Sequence, residues 1–227
     1  NICLPSILRV GNDFLYKNKI IDDVLMSNLV QVGDSFLYDN RMLFEIEFPK
    51  LVYVRDNFIC CNRLIRRVDL SSLVNCGNNF LCCNKDLIKL ELFNLRQTGD
   101  NFLRCNEILE EILVKNLEIV GSNFMYSNRK LENICFPRLR IVDNNFLYKN
   151  NSIKILELNE LYKAGPCFMK ENNSVIMFSA SKLMVVGINF MSNNSVLKYF
   201  DFSSLQEYNR AFLESNSVVK KKVLYLN

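Results

Sequence analysis

The residues of this chain best suited to chemistry are its nine cysteines, and five of them fall into register. Cys60 and Cys82 are 22 residues apart, as are Cys61 and Cys83, and Cys83 and Cys105. A thiolate is a nucleophile and a soft-metal ligand. Structural four-cysteine metal sites are built from tight knuckles such as C-x-x-C, and no such knuckle occurs here. An odd count without framework spacing also argues against a secreted disulfide scaffold and for a reducing compartment. Equivalent positions to Cys61 elsewhere hold Lys17, Asp39, Ser127, Lys149, Glu171 and Asn193, so this column is expected to face solvent. Free thiols are the favoured reading. A disulfide between stacked neighbours is allowed by distance but disfavoured by parallel side chains, and soft-metal ligation is the third option.

Histidine is absent altogether. That removes Ser-His-Asp and Cys-His catalysis, His-ligated zinc and HExxH chemistry, each of which needs an imidazole. No cofactor or metal is expected, and an enzyme reading requires a catalytic domain outside these residues. A basic column, Lys19, Arg41, Arg63, Lys85 and Arg129, is interrupted by Glu107. Like charges stacked at strand spacing repel, so the column reads as a solvated edge, with a groove for phosphates or an acidic partner as the sharper alternative. A net charge of +4 is mild, and no regular interleaving of exposed aromatics supports base stacking, so nucleic acid is not an expected partner.

With 49% apolar and 23% charged residues, the chain has the composition of a folded domain with a sizeable core. No apolar run reaches the eighteen or so residues that suggest a membrane-spanning helix. The first residues, Asn1 to Pro5, lack the basic and apolar stretches of a signal peptide, and the chain opens on Asn rather than Met. It therefore reads as a single domain, residues 1–227, of a longer product.

A repeat positions all of these residues. Phe14, Phe36, Phe58, Phe80, Phe102, Phe124, Phe146, Phe168, Phe190 and Phe212 are each 22 residues apart without insertion. Four residues after each comes an asparagine: Asn18, Asn40, Asn62, Asn84, Asn106, Asn128, Asn150, Asn172, Asn194 and Asn216. All seven glycines precede a column phenylalanine by three residues, which suggests a backbone of positive φ there. Asp143 and Asn209 are tolerable substitutes at that position, and Arg55 is the misfit. Pro5, Pro49 and Pro137 share the place where an apolar alternation such as Ile46-Glu47-Phe48 stops, as a residue that cannot donate to a sheet ladder should. The consensus L-x-x-I-x-L-(P/S)-x-L-x-x-V-G-(D/N)-N-F-L-Y-x-N-x-x is shown by Leu131, Ile134, Phe136, Leu139, Val142, Phe146, Leu147 and Asn150.

Strand periodicity in each L-x-x-I-x-L segment, repeated ten times, predicts a solenoid of ten coils, each burying its apolar residues against the next. A parallel sheet is expected on one face, with short turns or strands on the other. The phenylalanines are read as an internal spine. The asparagines are read as a buried amide ladder, even though Asn150 and Asn172 each open an N-x-S sequence.

These motifs resemble the bacterial leucine-rich repeats of the BspA type, whose L-x-x-I-x-I-P segment is followed by V-x-x-I-G and then A-F-x-x-C. The resemblance covers the whole chain. It implies a leucine-rich-repeat solenoid and a role in partner binding or surface attachment. Two departures stand out: Asn replaces the family's Cys three residues before the leading Leu, and Phe-Leu replaces Ala-Phe.

Outward positions of the strand segment carry the functional expectation. Nine residues after each phenylalanine lie Asp23, Glu45, Arg67, Lys89, Glu111, Asn133, Ile155, Met177, Tyr199 and Lys221, and eleven after lie Leu25, Glu47, Asp69, Glu91, Leu113, Cys135, Glu157, Ser179 and Asp201. Mixed charges occupy the middle coils, while Ile155, Met177 and Tyr199 follow consecutively with Leu113 and Cys135 alongside. Contiguous apolar side chains on a wet sheet signal an interface. The expected partner site is thus Leu113, Ile155, Met177 and Tyr199, oriented by Glu111 and Glu157, on a non-catalytic protein-binding module. Action in a cytoplasm, the producer's own or a host's, is favoured over a BspA-like role at a cell surface or in secretion.

Overall fold

The computed structural model describes residues 1–208 and 211–216; Asn209 and Lys221, two positions in the columns above, lie outside the described residues. The chain forms a parallel β-solenoid of about nine turns of about 22 residues, with strands and tight turns but no helix among the described residues. It has the form expected of a leucine-rich-repeat solenoid. Ten phenylalanines index the coils, but the coil that Phe212 opens runs mostly into residues outside the description.

Each coil has three segments. A three-residue strand such as Glu45–Glu47 comes first, and Pro49 follows it in a turn. A two-residue strand such as Tyr53–Val54 comes next. A run of consecutive turns containing the column phenylalanine closes the coil. The two-residue strands from Tyr53–Val54 to Val185–Val186 form one continuous seven-stranded parallel sheet.

The sheet of three-residue strands is interrupted, where the sequence suggested one unbroken face. Ile2–Cys3 pairs with Val24–Leu25, two residues each; Glu45–Glu47 pairs with Arg67–Asp69; Lys89–Glu91, Glu111–Leu113 and Asn133–Cys135 form a third group; Ile155–Glu157, Met177–Ser179 and Tyr199–Asp201 form a fourth. One break has a clear cause. Joining Arg67–Asp69 to Lys89–Glu91 in the same register would set Arg67 beside Lys89 and Asp69 beside Glu91, like charge on like charge, which destabilises a cross-strand pair. Each cation turns instead to its own group: Arg67 meets Glu45 at 2.7 Å, and Lys89 meets Glu91 at 3.0 Å and Glu111 at 3.2 Å.

The interior is the predicted spine. Phe36 through Phe190 are fully buried, and successive rings of the column stack with centroids 4.8 to 5.7 Å apart. Strand-end aromatics such as Phe48 and Phe136 meet the column edge-on, the geometry favoured by the ring quadrupole. Beside the spine runs the buried amide ladder. From Asn40 to Asn150 each asparagine donates its backbone N–H to the Oδ1 of the next, at 2.6 to 3.0 Å. Each Nδ2 donates to a carbonyl in the preceding coil, as Asn106 does to Leu81 at 2.9 Å.

The glycine expectation is overturned. No glycine has positive φ. From Gly33 onward glycine instead answers close approach between coils, while Gly11 faces open space: a Cβ on Gly99 would stand 2.6 Å from Asn78 Oδ1 and 2.7 Å from the Gly77 carbonyl carbon. The left-handed conformation belongs to the residues one before, one after and three after each column phenylalanine from Phe14 to Phe190, such as Asn79, Leu81 and Cys83 with φ of 57°, 49° and 57°. Asn tolerates this region readily, whereas Ile59 at 49° is a true steric outlier. It is held because its N–H donates to Phe36 O at 2.9 Å in the preceding coil and its side chain is fully buried.

Candidate functional site

Two regions carry the residues singled out above, and they lie on different segments of the coil. The first is the face of three-residue strands. Ile155, Met177 and Tyr199 are direct neighbours in register, because the inward positions between them, Leu156, Phe178 and Phe200, face the core. Ile155 is 55% exposed and Tyr199 61%, with Met177 half-buried between them. Glu157 is exposed beside Ser179 and Asp201 on the same strands.

Leu113 and Glu111 belong to the neighbouring group of strands, and both are half-buried. Glu111 pairs with Lys89, and in that register it forms part of the charged half of the face. No ladder joins Asn133–Cys135 to Ile155–Glu157. A cleft of about 590 Å³ opens there, lined by Leu113, Cys135, Pro137, Lys154, Ile155 and Glu157. Five of the six predicted residues therefore surround the cleft or continue from it, and the sixth, Glu111, borders them across Leu113. The periodicity gave no sign of the cleft.

The second region is the turn segment. Cys60 and Cys82 are buried, and Cys61, Cys83 and Cys105 are half-buried rather than fully open to solvent. Every cysteine is a free thiol, and among the described residues no group of His, Cys, Asp or Glu converges as a metal site. Cys60 Sγ lies 3.6 Å from Cys61 Sγ, and Cys61 Sγ lies 3.8 Å from Tyr38 Oη. Hydrogen bonds from Cys60 and Cys83, joined by Tyr38 and the charge of Arg63, hold Cys61 well below the ordinary thiol range despite partial burial. Contacts with Cys61 and then Cys82 push Cys60 up, and contacts with Cys105 and then Cys61 push Cys83 up. Cys105 is drawn down to about 6, first by its hydrogen bond with Cys83 and then by Arg104. The Tyr38 phenol rises to about 12, chiefly through its contact with Cys61.

Three features here escaped the sequence reading. Tyr16 and Tyr38 stack at 5.1 Å, and Tyr126 and Tyr148 meet edge-on at 5.1 Å, in the same column that Cys60, Cys82 and Arg104 occupy between them. A second amide ladder runs along the surface, each side chain donating to the one before from Asn145 through Asn123, Asn101 and Asn79 to Asn57, at 2.8 to 2.9 Å. Arg41, Arg63 and Lys85 of the basic column share a groove with Cys61 and Cys83, while Lys19 does not line it. The spacing of two residues between the columns is the signal that could have joined them.

No family model matches the chain, and neither a curated protein nor a solved structure matches it. Among the described residues no helix is long and apolar enough to cross a membrane.

Proposed function

We propose that this chain is a non-catalytic protein-interaction module whose partner lies across the three-residue strands, anchored at Ile155, Met177 and Tyr199. The observation that carries the reading is their register: three large apolar side chains stand side by side on adjacent strands. Earlier coils hold Glu45, Arg67, Lys89 and Glu111 at the same position. A few large side chains dominate most interfaces, and a polar border like that of Glu157 and Asp201 is the usual rim around them. The cleft beside Leu113 and Ile155 adds a depression into which a partner's side chain can fit. Its walls are the edges of two strand groups, and such edges are templates for further pairing. Nine cysteines without framework spacing favour a reducing compartment, the producer's cytoplasm or a host's. Surface attachment by a BspA-type repeat is the second reading, supported by the L-x-x-I-x-L-(P/S) resemblance.

The two sheets offer an internal comparison. A photo-cross-linking residue placed at Met177 should capture a discrete partner, whereas the same residue at Lys163, on the seven-stranded sheet, should not. Capture from Lys163 alone would move the interface to the other sheet. Fractionation of the full-length product separates cytoplasmic from surface placement.

A further inference from the structure

The cysteine column and the basic column meet in one place. A groove of about 380 Å³ is lined by Lys17, Arg41, Arg63 and Lys85 together with Cys61 and Cys83. Its one lining carboxylate, Asp39, is already engaged by Arg41 at 3.4 Å, and the remaining lining residue is Tyr38. Three cations are thus left without a counter-charge from the lining, around a half-buried nucleophilic sulfur. Such a concave cationic wall concentrates small anions and raises their encounter rate.

Geometry also supplies a second thiol. Cys61 and Cys83 occupy the same place on successive coils, with the register fixed by Cys61 N donating to Cys82 O at 2.8 Å and Cys83 N donating to Arg104 O at 2.9 Å. Strand-like stacking puts their Cα atoms about 5 Å apart, inside the span a disulfide bridges, and rotation of the two parallel side chains about Cα–Cβ supplies the dihedral the bond needs. Cys60 Sγ also lies 3.6 Å from Cys61 Sγ, but neighbours in sequence have Cα atoms only about 3.8 Å apart, short of that span, and Cys60 is buried. The resolving thiol is therefore Cys83.

We infer that the groove is a thiol-exchange site, in which Cys61 attacks small disulfides bearing carboxylates and Cys83 resolves the adduct. In the first step the Cys61 thiolate attacks one sulfur of the external disulfide. A bond forms between Cys61 and that half, the external S–S bond breaks, and the other half leaves as a thiolate. In the second step Cys83 passes its proton to the departing half, which leaves as a thiol, as its sulfur attacks the Cys61 sulfur. The Cys61–Cys83 bond forms, so the chain loses two electrons and the external disulfide becomes one thiolate and one thiol. The protonation pattern suits this order. Hydrogen bonds from Cys60, Cys83 and Tyr38 keep Cys61 as thiolate, the attacking form, while Cys83 is held as the neutral thiol until needed. Carboxylates of the incoming molecule pair with Arg63, Lys85 and Lys17, and this contact separates the site from an ordinary exposed thiol.

The test uses the full reduced chain and dithiobis(nitrobenzoate), a dianionic aromatic disulfide, with uncharged dithiodipyridine as comparison. Peptide mapping after short exposures gives a rate for each cysteine, and the exposed Cys3 and Cys135 serve as references. Cys61 should react with the dianionic probe at least about tenfold faster than Cys135, an advantage that 1 M salt or Arg63→Ala with Lys85→Ala removes. With the uncharged probe the advantage should shrink several-fold. At completion the map should show a Cys61–Cys83 link, and Cys83→Ser should trap the mixed disulfide on Cys61. Equal rates at Cys61 and Cys135, a rate advantage indifferent to salt, or no Cys61–Cys83 link would overturn the inference. The unmodified chain alone decides between these outcomes, so poor folding of a variant leaves the test intact.

Discussion

Asn106 closes a link between three coils: its Oδ1 accepts the backbone N–H of Asn84 at 3.0 Å while its Nδ2 donates to Leu81 O at 2.9 Å, and its own N–H reaches Asn128 Oδ1 at 2.8 Å. Its side chain is fully buried. Asn106→Ala would leave the Asn84 N–H and the Leu81 carbonyl without these partners, at a cost of about 1–3 kcal/mol for each orphaned group. Chemical denaturation should show that loss, with partner binding retained wherever the fold survives. Unchanged stability with lost binding would make the ladder a site rather than a scaffold.

The phenylalanine spine makes a positional prediction. Phe102 stacks on Phe80 at 5.2 Å and on Phe124 at 5.1 Å, and Phe102→Ala should cost about 3–5 kcal/mol through lost burial and the cavity left behind. Phe14, half-buried at the start of the column, should cost clearly less. Equal losses in melting experiments would mean that the stack is not the principal source of cohesion.

Two glycines at equivalent positions should respond in opposite directions. Gly99→Ala drives a methyl group against Asn78 Oδ1 and the Gly77 backbone, whereas a Cβ on Gly11 meets nothing within 4 Å. Neither residue has positive φ. Gly11→Ala should therefore be neutral or stabilise by about 0.4–1 kcal/mol through the unfolded chain, and Gly99→Ala should destabilise. A comparable loss at both would restore a conformational role for the glycine column.

The Phe and Asn columns were legible because a strict period leaves only one place for each, inside the coil, and Pro49 and Pro137 marked strand ends because proline cannot donate. The left-handed positions were not, since Leu81 and Ile59 carry no hint of positive φ and are held there by the neighbouring coil. One interruption of the strand face follows from Arg67 standing opposite Lys89 and Asp69 opposite Glu91, whereas the break between Asn133–Cys135 and Ile155–Glu157 has no such charge signal. Of the site, Ile155, Met177 and Tyr199 followed from alternation alone. The Cys61 groove did not, because its cations and thiols belong to two different columns that only the coil's turns bring to one wall.

Thiol chemistry at Cys105 has a defined pH dependence. Its hydrogen bond with Cys83 and the Arg104 charge favour the thiolate, with a pKa of about 6 against the usual 9.0. Alkylation of Cys105 should therefore stay fast from pH 9 down to about pH 6 and fall below it, as mass spectrometry of pulse-labelled chain will show. The sign for stability is the same: a lowered folded-state pKa stabilises fully above the unfolded value, and the effect disappears as pH falls through the folded value. A midpoint near 9 would remove the Cys83 contact from the account.

Binding at the strand face is the central claim, and a dissociation constant tests it most directly. With the partner captured at Met177 in hand, its affinity is measured for the unmodified chain and for the Met177→Ala, Tyr199→Ala double variant, folding being verified by the melting curve. Loss of anchors worth about 2 kcal/mol or more predicts at least about a thirtyfold rise in Kd, with little change for Lys19→Ala or Arg41→Ala on the basic edge. Equal Kd for both chains, with weakening instead on removal of Lys19, Arg41, Arg63 and Lys85, would contradict the account and place the partner on the basic edge.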